Sequence, residues 1–212
     1  SQVSKSGGVQ TDFFYLWDPL LTSSGNSVFG LGGFQTFSWN GSGYDVTPGG
    51  GSYSGSNRFI ESGQAFFVRA PFSSGSVSFS ENCKTDGSNM VYRNGNGRNN
   101  NIKQLRTNLY IRSNSGRVLV DGNLVQYDPA YSNSVDEFDA LKLNNTSENF
   151  TIISAAQKLA VERRKAIQAG DTIFFRLGQV RLQQYEMEFI PANIAEPGIL
   201  AFLEDNYLHS ST

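Results

Sequence analysis

The chain has 212 residues, of which 22 are Gly, 16 are Phe and 9 are Tyr, while charged residues make up only 17%. Because aromatic residues favour strands and Gly supplies turns, this composition predicts an all-β protein that is large enough for a proper core. The net charge of −2 gives no basic footprint for nucleic acid, and no stretch approaches the roughly 18 apolar residues that span a membrane. The single cysteine, Cys83, excludes an internal disulfide.

The first part of the chain, residues 1–83, is rich in Gly and aromatic residues and predicts one β lobe. Residues 1–11 are polar and are expected to be frayed. Residues 59–71 (FIESGQAFFVRAP) predict the clearest strand of this lobe. Residues 84–104 form the most polar, Asn/Gly-rich segment, which is typical of a linker or a long exposed loop.

Residues 105–212 are more regular and predict a second lobe, a β-sandwich that stops before its last strands. Residues 105–113 alternate, with Leu105, Thr107, Leu109 and Ile111 inward and Arg106, Asn108, Tyr110 and Arg112 outward. A hairpin turn is expected at Asp121-Gly122, and a last strand at 199–205. Strands separated by turn signals at short intervals predict an antiparallel sandwich, jelly-roll or Ig-like, with one or two lobes and at most one short helix.

The densest cluster of carboxylates contains Asp136, Glu137 and Asp139. Together with Asn133 and the carbonyls around Asp128, they could supply the oxygen ligands of a Ca²⁺ ion, which is the only cofactor that the sequence suggests. The alternative is a short helical turn over residues 134–143, in which the acids lie at the helix N-terminus and favour its dipole. Both interpretations remain open at this point.

Four aromatic residues of the first lobe could form a platform for sugar rings: Trp17, Trp39, Tyr44 and Tyr53. The alternative is that they are core or rim residues of a β-sandwich.

The sequence offers no set of catalytic residues that would support an enzyme function, since the one histidine, His209, lies in the C-terminal tail. A carboxylate pair of Asp136 and Asp139 would also need an apolar or aromatic cleft around it. The chain is therefore interpreted as not being an enzyme, and an enzyme fragment is kept only as a weak alternative.

Several spaced motifs point to a family: YLWDP, GLGGFQTFSW and IESGQAFFVRAP in the first half, and LRTNLYI, DGNLVQYDPAYSNSVDEFDALKL, KLAVERR, DTIFFRLG, QYEMEFIP and PGILAFLEDNYL in the second. Together they resemble a β-sandwich module of secreted Bacteroidetes surface proteins, which lies just before a type IX secretion sorting domain. Relative to that family, the chain starts after a Gly-Asn-Pro-Tyr strand and stops before the final strands.

The resemblance implies an extracellular or cell-surface location and a structural or adhesive role. The type IX secretion machinery would be its partner through a sorting domain outside this sequence. The alternative function is a carbohydrate-binding module that uses the exposed aromatics of the first lobe, with surface glycans as partners. Asp171-Thr172-Ile173 is also similar to the O-glycosylation motif of that phylum, which predicts modification of Thr172.

Overall fold

The computed structural model describes residues 3–21, 32–53, 59–61, 63–71, 73–84, 102–114, 116–194, 199–205 and 208–211. The strands in these ranges are β1 (Val3–Gly7), β2 (Phe13–Asp18), β3 (Gly33–Trp39), β4 (Tyr44–Thr47), β5 (Gly75–Phe79), β6 (Lys103–Ser113), β7 (Gly116–Tyr127), β8 (Ala140–Leu141), β9 (Asn149–Ser154), β10 (Gln157–Arg164), β11 (Phe174–Gly178), β12 (Tyr185–Ala192), β13 (Glu204–Asp205) and β14 (Ser210–Ser211). The only helix in the described ranges is a short 3-10 turn at Glu81–Cys83. The predicted all-β class is therefore confirmed. Within the same ranges, no helix has the length and apolarity needed to cross a membrane.

A seven-stranded sheet, built from the second half of the chain, forms the largest layer. Its strands follow the order β11-β9-β10-β7-β6-β12, and β8 also pairs with β10. These pairs are antiparallel except for β7 and β10, which run parallel from Leu124 opposite Val161 to Tyr127 opposite Arg164. This parallel pair places two strands that are distant in sequence at the centre of the sheet.

The large sheet curls so that its two outer strands approach each other. The Phe175 ring of β11 lies 5.3 Å from the Phe150 ring of β9 and 6.0 Å from the Phe189 ring of β12. Leu109 and Val120 complete this part of the core together with Phe150. The residues predicted to point inward from strand 105–113 therefore lie on the concave face of the sheet.

The second layer is a three-stranded sheet in the order β2-β3-β4. One of its faces packs against the convex face of the large sheet, where Phe13 and Tyr15 contact Leu124, Ala140 and Val161. Its other face is covered by β1, which pairs with β5, and by the side chains of Ile60, Phe66 and Val68. The two halves of the sequence thus share a buried core, and the layers form a sandwich. The predicted boundary at 84–104 falls largely on residues outside the described ranges.

Three local predictions are wrong. The described part of residues 1–11 is not frayed, because β1 pairs in register with β5 from Val3 opposite Phe79 to Gly7 opposite Gly75. The described part of residues 59–71 holds no regular strand, only an isolated bridge between Phe67 and Tyr15. The strand expected at 199–205 is reduced to Glu204–Asp205.

The hairpin turn expected at Asp121-Gly122 is also wrong, because β7 runs straight through both residues. A β-bulge precedes them, where Leu109 pairs with Asp121 but the next residue of β6 pairs with Leu119. Gly122 serves close packing, since a Cβ there would lie 2.6 Å from the Thr107 carbonyl oxygen and 2.9 Å from Pro48 Cβ. The outward side of β6 is likewise not all exposed: Arg106 and Asn108 are buried, and Arg106 Nη1 donates to the Val46 carbonyl oxygen at 2.5 Å.

Candidate functional site

The acidic stretch forms a tight turn and no helix. The Asp139 amide donates to the Asp136 carbonyl oxygen at 3.2 Å, and the Phe138 amide donates to Asp136 Oδ1 at 2.8 Å. The predicted helical turn over residues 134–143 is therefore wrong. The physical reason is that Ala140 and Leu141 extend into β8 and pair with β10, which leaves no room for a continuing helix.

The Asp139 carboxylate is bound by backbone amides. It is buried, and it accepts hydrogen bonds from the Asp136 amide at 2.9 Å and the Arg163 amide at 2.8 Å. Burial raises the pKa of Asp139 from 3.8 to about 6, while the two amides act in the opposite direction. This carboxylate joins the acidic turn to β10.

The other residues proposed as calcium ligands do not gather around Asp139. Glu137 is exposed, Asn133 Oδ1 accepts from the Lys165 amide at 3.0 Å, and Asp128 Oδ1 accepts from the Ala130 amide at 2.9 Å. In the described ranges, no three His, Cys, Asp or Glu side chains are grouped as potential metal ligands. The calcium site at Asp136, Glu137 and Asp139 stays a prediction.

The four aromatics proposed for glycan binding do not form one platform. Trp17 pairs with Phe34 and shares the face of Phe13, whereas Trp39 follows Phe37 on the opposite face of the small sheet. Tyr53 is only 3% exposed, so the expectation that it is exposed is wrong. Its ring packs 5.3 Å from Phe37, and its hydroxyl accepts from Gln64 Nε2.

Trp39 and Tyr44 do come together. Their rings are 5.2 Å apart in an edge-to-face arrangement, because the two residues are opposite each other in β3 and β4. They line a cleft of about 210 Å³ whose other walls are Val3, Lys5, Thr11 and Asp12. Both aromatic residues are partly exposed, so this cleft combines aromatic surface with polar and charged groups.

Lys5 is held inside this cleft by the backbone and by an aromatic ring. Its Nζ donates to the Phe13 carbonyl oxygen at 2.6 Å and to the Thr11 carbonyl oxygen at 3.1 Å, and it lies 3.6 Å from the centroid of the Phe14 ring. Burial lowers the pKa of Lys5 to about 8, although the charge of Asp12 acts in the opposite direction. The cleft therefore contains a positioned amine next to the Trp39–Tyr44 pair.

Thr172 lies on the surface two residues before β11, which begins at Phe174. Its carbonyl oxygen accepts from Arg164 Nη1 at 2.8 Å. The side chain is exposed, and its modification stays a prediction.

A family model described as "Domain of unknown function (DUF8693)" matches residues 9–210. The chain belongs to the DUF8693 family. No curated protein and no solved structure matches the chain. The family match spans both halves of this DUF8693 chain, including the acidic turn and the cleft residues Thr11, Asp12, Trp39 and Tyr44, but it begins after Val3 and Lys5.

Sequence reasoning missed two buried cations of the DUF8693 chain. Arg163, with a side chain that is 1% exposed, donates from Nε to Gln126 Oε1 at 3.1 Å and from Nη1 to Asp12 Oδ2 at 2.6 Å, and its Nη2 contacts the Trp39 carbonyl oxygen. It thereby connects the large sheet to the first half of the chain. A sequence signal existed, because Arg163 lies two residues after the apolar Val161 in β10 and so points to the same side of the strand.

The second missed cation is Lys142. Its Nζ contacts Asp121 Oδ1, and the two side chains are 2% and 0% exposed. Burial raises the pKa of Asp121, whereas the Lys142 charge and two backbone amides lower it. The available signal was the position of Lys142 between two apolar residues, Leu141 and Leu143.

Proposed function

We propose that this chain is a non-catalytic structural or adhesive module of an exported cell-surface protein. The observation that carries the proposal is the buried Arg163 side chain, which bonds to Asp12 and Trp39 in the first half and to Gln126 in the second. A buried guanidinium with partners on several elements fixes their relative positions, because each lost partner would leave a desolvated group unpaired. Its charge therefore serves to hold the layers together.

The acidic turn supports the same function. Asp139 is the most buried carboxylate of the cluster, and both of its oxygens accept from backbone amides of this chain. Because both oxygens already accept hydrogen bonds, this carboxylate fixes the position of the turn on β10 and has little capacity left to bind a substrate. The surface location itself comes from the resemblance of the sequence motifs to secreted Bacteroidetes modules.

The location is tested on intact cells that produce the protein, with an antibody raised against this chain. We expect the antibody to label intact cells and the label to disappear after external protease treatment. In a mutant that lacks the type IX secretion machinery, the chain should accumulate inside the cell envelope. Label only after cell lysis, or unchanged export in the mutant, would contradict the corresponding part of the proposal.

Glycan binding at the Trp39–Tyr44 cleft is the second candidate function. The partly exposed aromatic pair offers apolar ring surface, and Lys5, Thr11 and Asp12 offer polar groups at the same cleft. Small-ligand sites combine aromatic surface with a few polar groups that fix the orientation of the ligand. Surface glycans are the ligand class that this combination suits best.

A glycan array with the wild type and the Trp39→Ala variant tests this second candidate. We expect the variant to bind roughly fivefold more weakly, because an aromatic contact is worth on the order of 1 kcal/mol. Trp17→Ala is the matched control, since Trp17 lies on the opposite face of the small sheet. Absence of binding to every glycan, or equal loss in both variants, would rule out the cleft as a glycan site.

A further inference from the structure

The buried pair of Lys142 and Asp121 places an amine against a carboxyl group inside the β-sandwich. Asp121 is in the middle of β7, and Lys142 directly follows β8, so the two groups belong to different elements. Lys142 Nζ contacts Asp121 Oδ1, and both side chains are almost entirely shielded from solvent. Burial of a charged ammonium and a charged carboxylate costs a large desolvation free energy. This cost favours transfer of the proton from the ammonium to the carboxylate.

The Asp121 carboxyl group is fixed by two further donors. The Gly122 amide donates to Oδ1 at 2.8 Å, and the Phe150 amide donates to Oδ2 at 2.6 Å. Backbone amides aimed at a carboxyl group stabilise the negative charge that develops on its oxygen when a nucleophile attacks the carbon. The arrangement therefore holds a nucleophile and an electrophile at one buried place. Each carboxyl oxygen has one backbone donor, so whichever oxygen carries the developing negative charge accepts one amide hydrogen bond.

We propose that Lys142 and Asp121 condense to form an intramolecular isopeptide bond. The proton of the Lys142 ammonium passes to Asp121, which gives a neutral amine and a neutral carboxylic acid. The Nζ lone pair attacks Cγ, and a new N–C bond forms. One C–O bond of the carboxyl group then breaks, and the departing hydroxyl takes a proton from nitrogen and leaves as water. No oxidant, reductant or further reactant is needed.

Burial favours formation of the isopeptide bond in several ways. Desolvation raises the pKa of Asp121, so the neutral acid is more populated than for an exposed aspartate. Fixed contact between the reacting groups gives an effective concentration far above that of free reactants. Exclusion of solvent also removes the water that would hydrolyse the amide. The proposal concerns residues outside the Trp39–Tyr44 cleft and does not depend on glycan binding or on the cellular location.

Intact-mass spectrometry of the purified full chain tests the proposal. We expect a mass lower than that of the sequence by one water molecule. Proteolysis should release a branched peptide in which the chain around Lys142 is joined to the chain around Asp121, with no tryptic cleavage after Lys142. A mass equal to that of the sequence, after prolonged incubation of the folded protein, would overturn the proposal.

The control must separate this bond from a succinimide, because Asp121 is followed by Gly122, and cyclisation at Asp-Gly also releases water. Lys142→Arg keeps the positive charge but removes the nucleophilic amine. We expect the water loss to vanish in this variant, and hydroxylamine treatment to leave the wild-type mass unchanged. Water loss that persists in Lys142→Arg would assign the loss to a succinimide and refute the isopeptide. The same conclusion would follow if hydroxylamine forms a hydroxamate or cleaves the wild-type chain at Asp121-Gly122. The branched peptide of the wild type decides the question even if the variant folds poorly.

Discussion

Asp139 shows how a single carboxylate can be enclosed by the backbone of its own chain. Its two oxygens accept from the amides of Asp136 and Arg163, and its pKa is raised by burial to about 6. The folded protein therefore binds one proton more than the unfolded chain between pH 3.8 and about pH 6. In this window the contribution of Asp139 to the free energy of unfolding falls as the pH rises.

The first prediction concerns the titration of Asp139. A carbon-detected NMR titration of the folded protein should give an Asp139 carboxyl midpoint near pH 6, and not near the ordinary value of 3.8. A midpoint near 4 for Asp139 would contradict the burial of its side chain.

The acidic residues at 136–139 show that proximity in sequence does not determine the direction in which side chains point. Asp136, Glu137 and Asp139 are close in sequence, which made a calcium site a reasonable hypothesis. In the folded chain the turn directs Asp139 into the core and leaves Glu137 exposed, so their oxygens do not converge. The direction of each side chain depends on the pairing of β8 with β10, which no local pattern reveals.

At the scale of an element, the hairpin between β9 and β10 has an unusual turn. Ser154 pairs with Gln157, and the two residues between them, Ala155 and Ala156, both have positive φ values of 46° and 64°. This is the geometry of a type I′ hairpin turn, in which Asn and Gly are normally preferred. Each alanine is strained there, since the left-handed region costs an L-residue with a Cβ about 1–2 kcal/mol.

The second prediction follows from this turn. Ala156→Gly should raise the free energy of unfolding by about 1 kcal/mol, because relief of the left-handed strain exceeds the added flexibility of the unfolded chain. Urea denaturation measures the difference. The matched control is Ala160→Gly, inside β10, where loss of a buried methyl group should lower stability by about 1 kcal/mol. Equal effects of the two substitutions would be inconsistent with the turn geometry.

The sequence predicts a strand correctly where apolar and polar residues alternate strongly. It predicts wrongly where tertiary contacts override a local turn signal. The pattern of β6 gave its apolar face correctly, from Leu105 to Ile111. The Asp121-Gly122 dipeptide is a frequent turn signal, yet it continues β7, because Asp121 pairs with Lys142 and Gly122 allows close approach of the small sheet. Both partners are distant in sequence, so no local window contains the information.

At the scale of the whole molecule, the two halves predicted as separate lobes share the core at Phe13. Phe13 is fully buried against residues of the large sheet, and the Arg163 guanidinium lies 5.3 Å from its ring centroid. The difference in composition between the two halves is visible in the sequence. The packing between them could not be predicted, because it depends on which face of β2 contacts which face of β7 and β10.

The third prediction is that both halves unfold together. Phe13→Ala should lower the free energy of unfolding by about 3–5 kcal/mol, and Trp fluorescence should report the same transition as the methyl NMR signal of Met187. Both Trp residues lie in the first half, and Met187 lies in β12. Phe174→Ala is the control, since that ring is 59% exposed and its loss should change stability by no more than about 0.5 kcal/mol. A fluorescence transition that shifts without the Met187 signal would indicate two independent domains.

The parallel pairing of β7 with β10 has a consequence for synthesis and folding. The strands at the centre of the large sheet are separated in sequence by β8 and β9, and β6 pairs with the much later β12. Such high contact order predicts folding in roughly milliseconds to seconds, since long segments must be ordered before these pairs form. As the chain emerges from the ribosome, the face of β2 that carries Phe13 and Tyr15 is made long before the sheet that covers it. The nascent first half should therefore depend on a chaperone until the large sheet is complete.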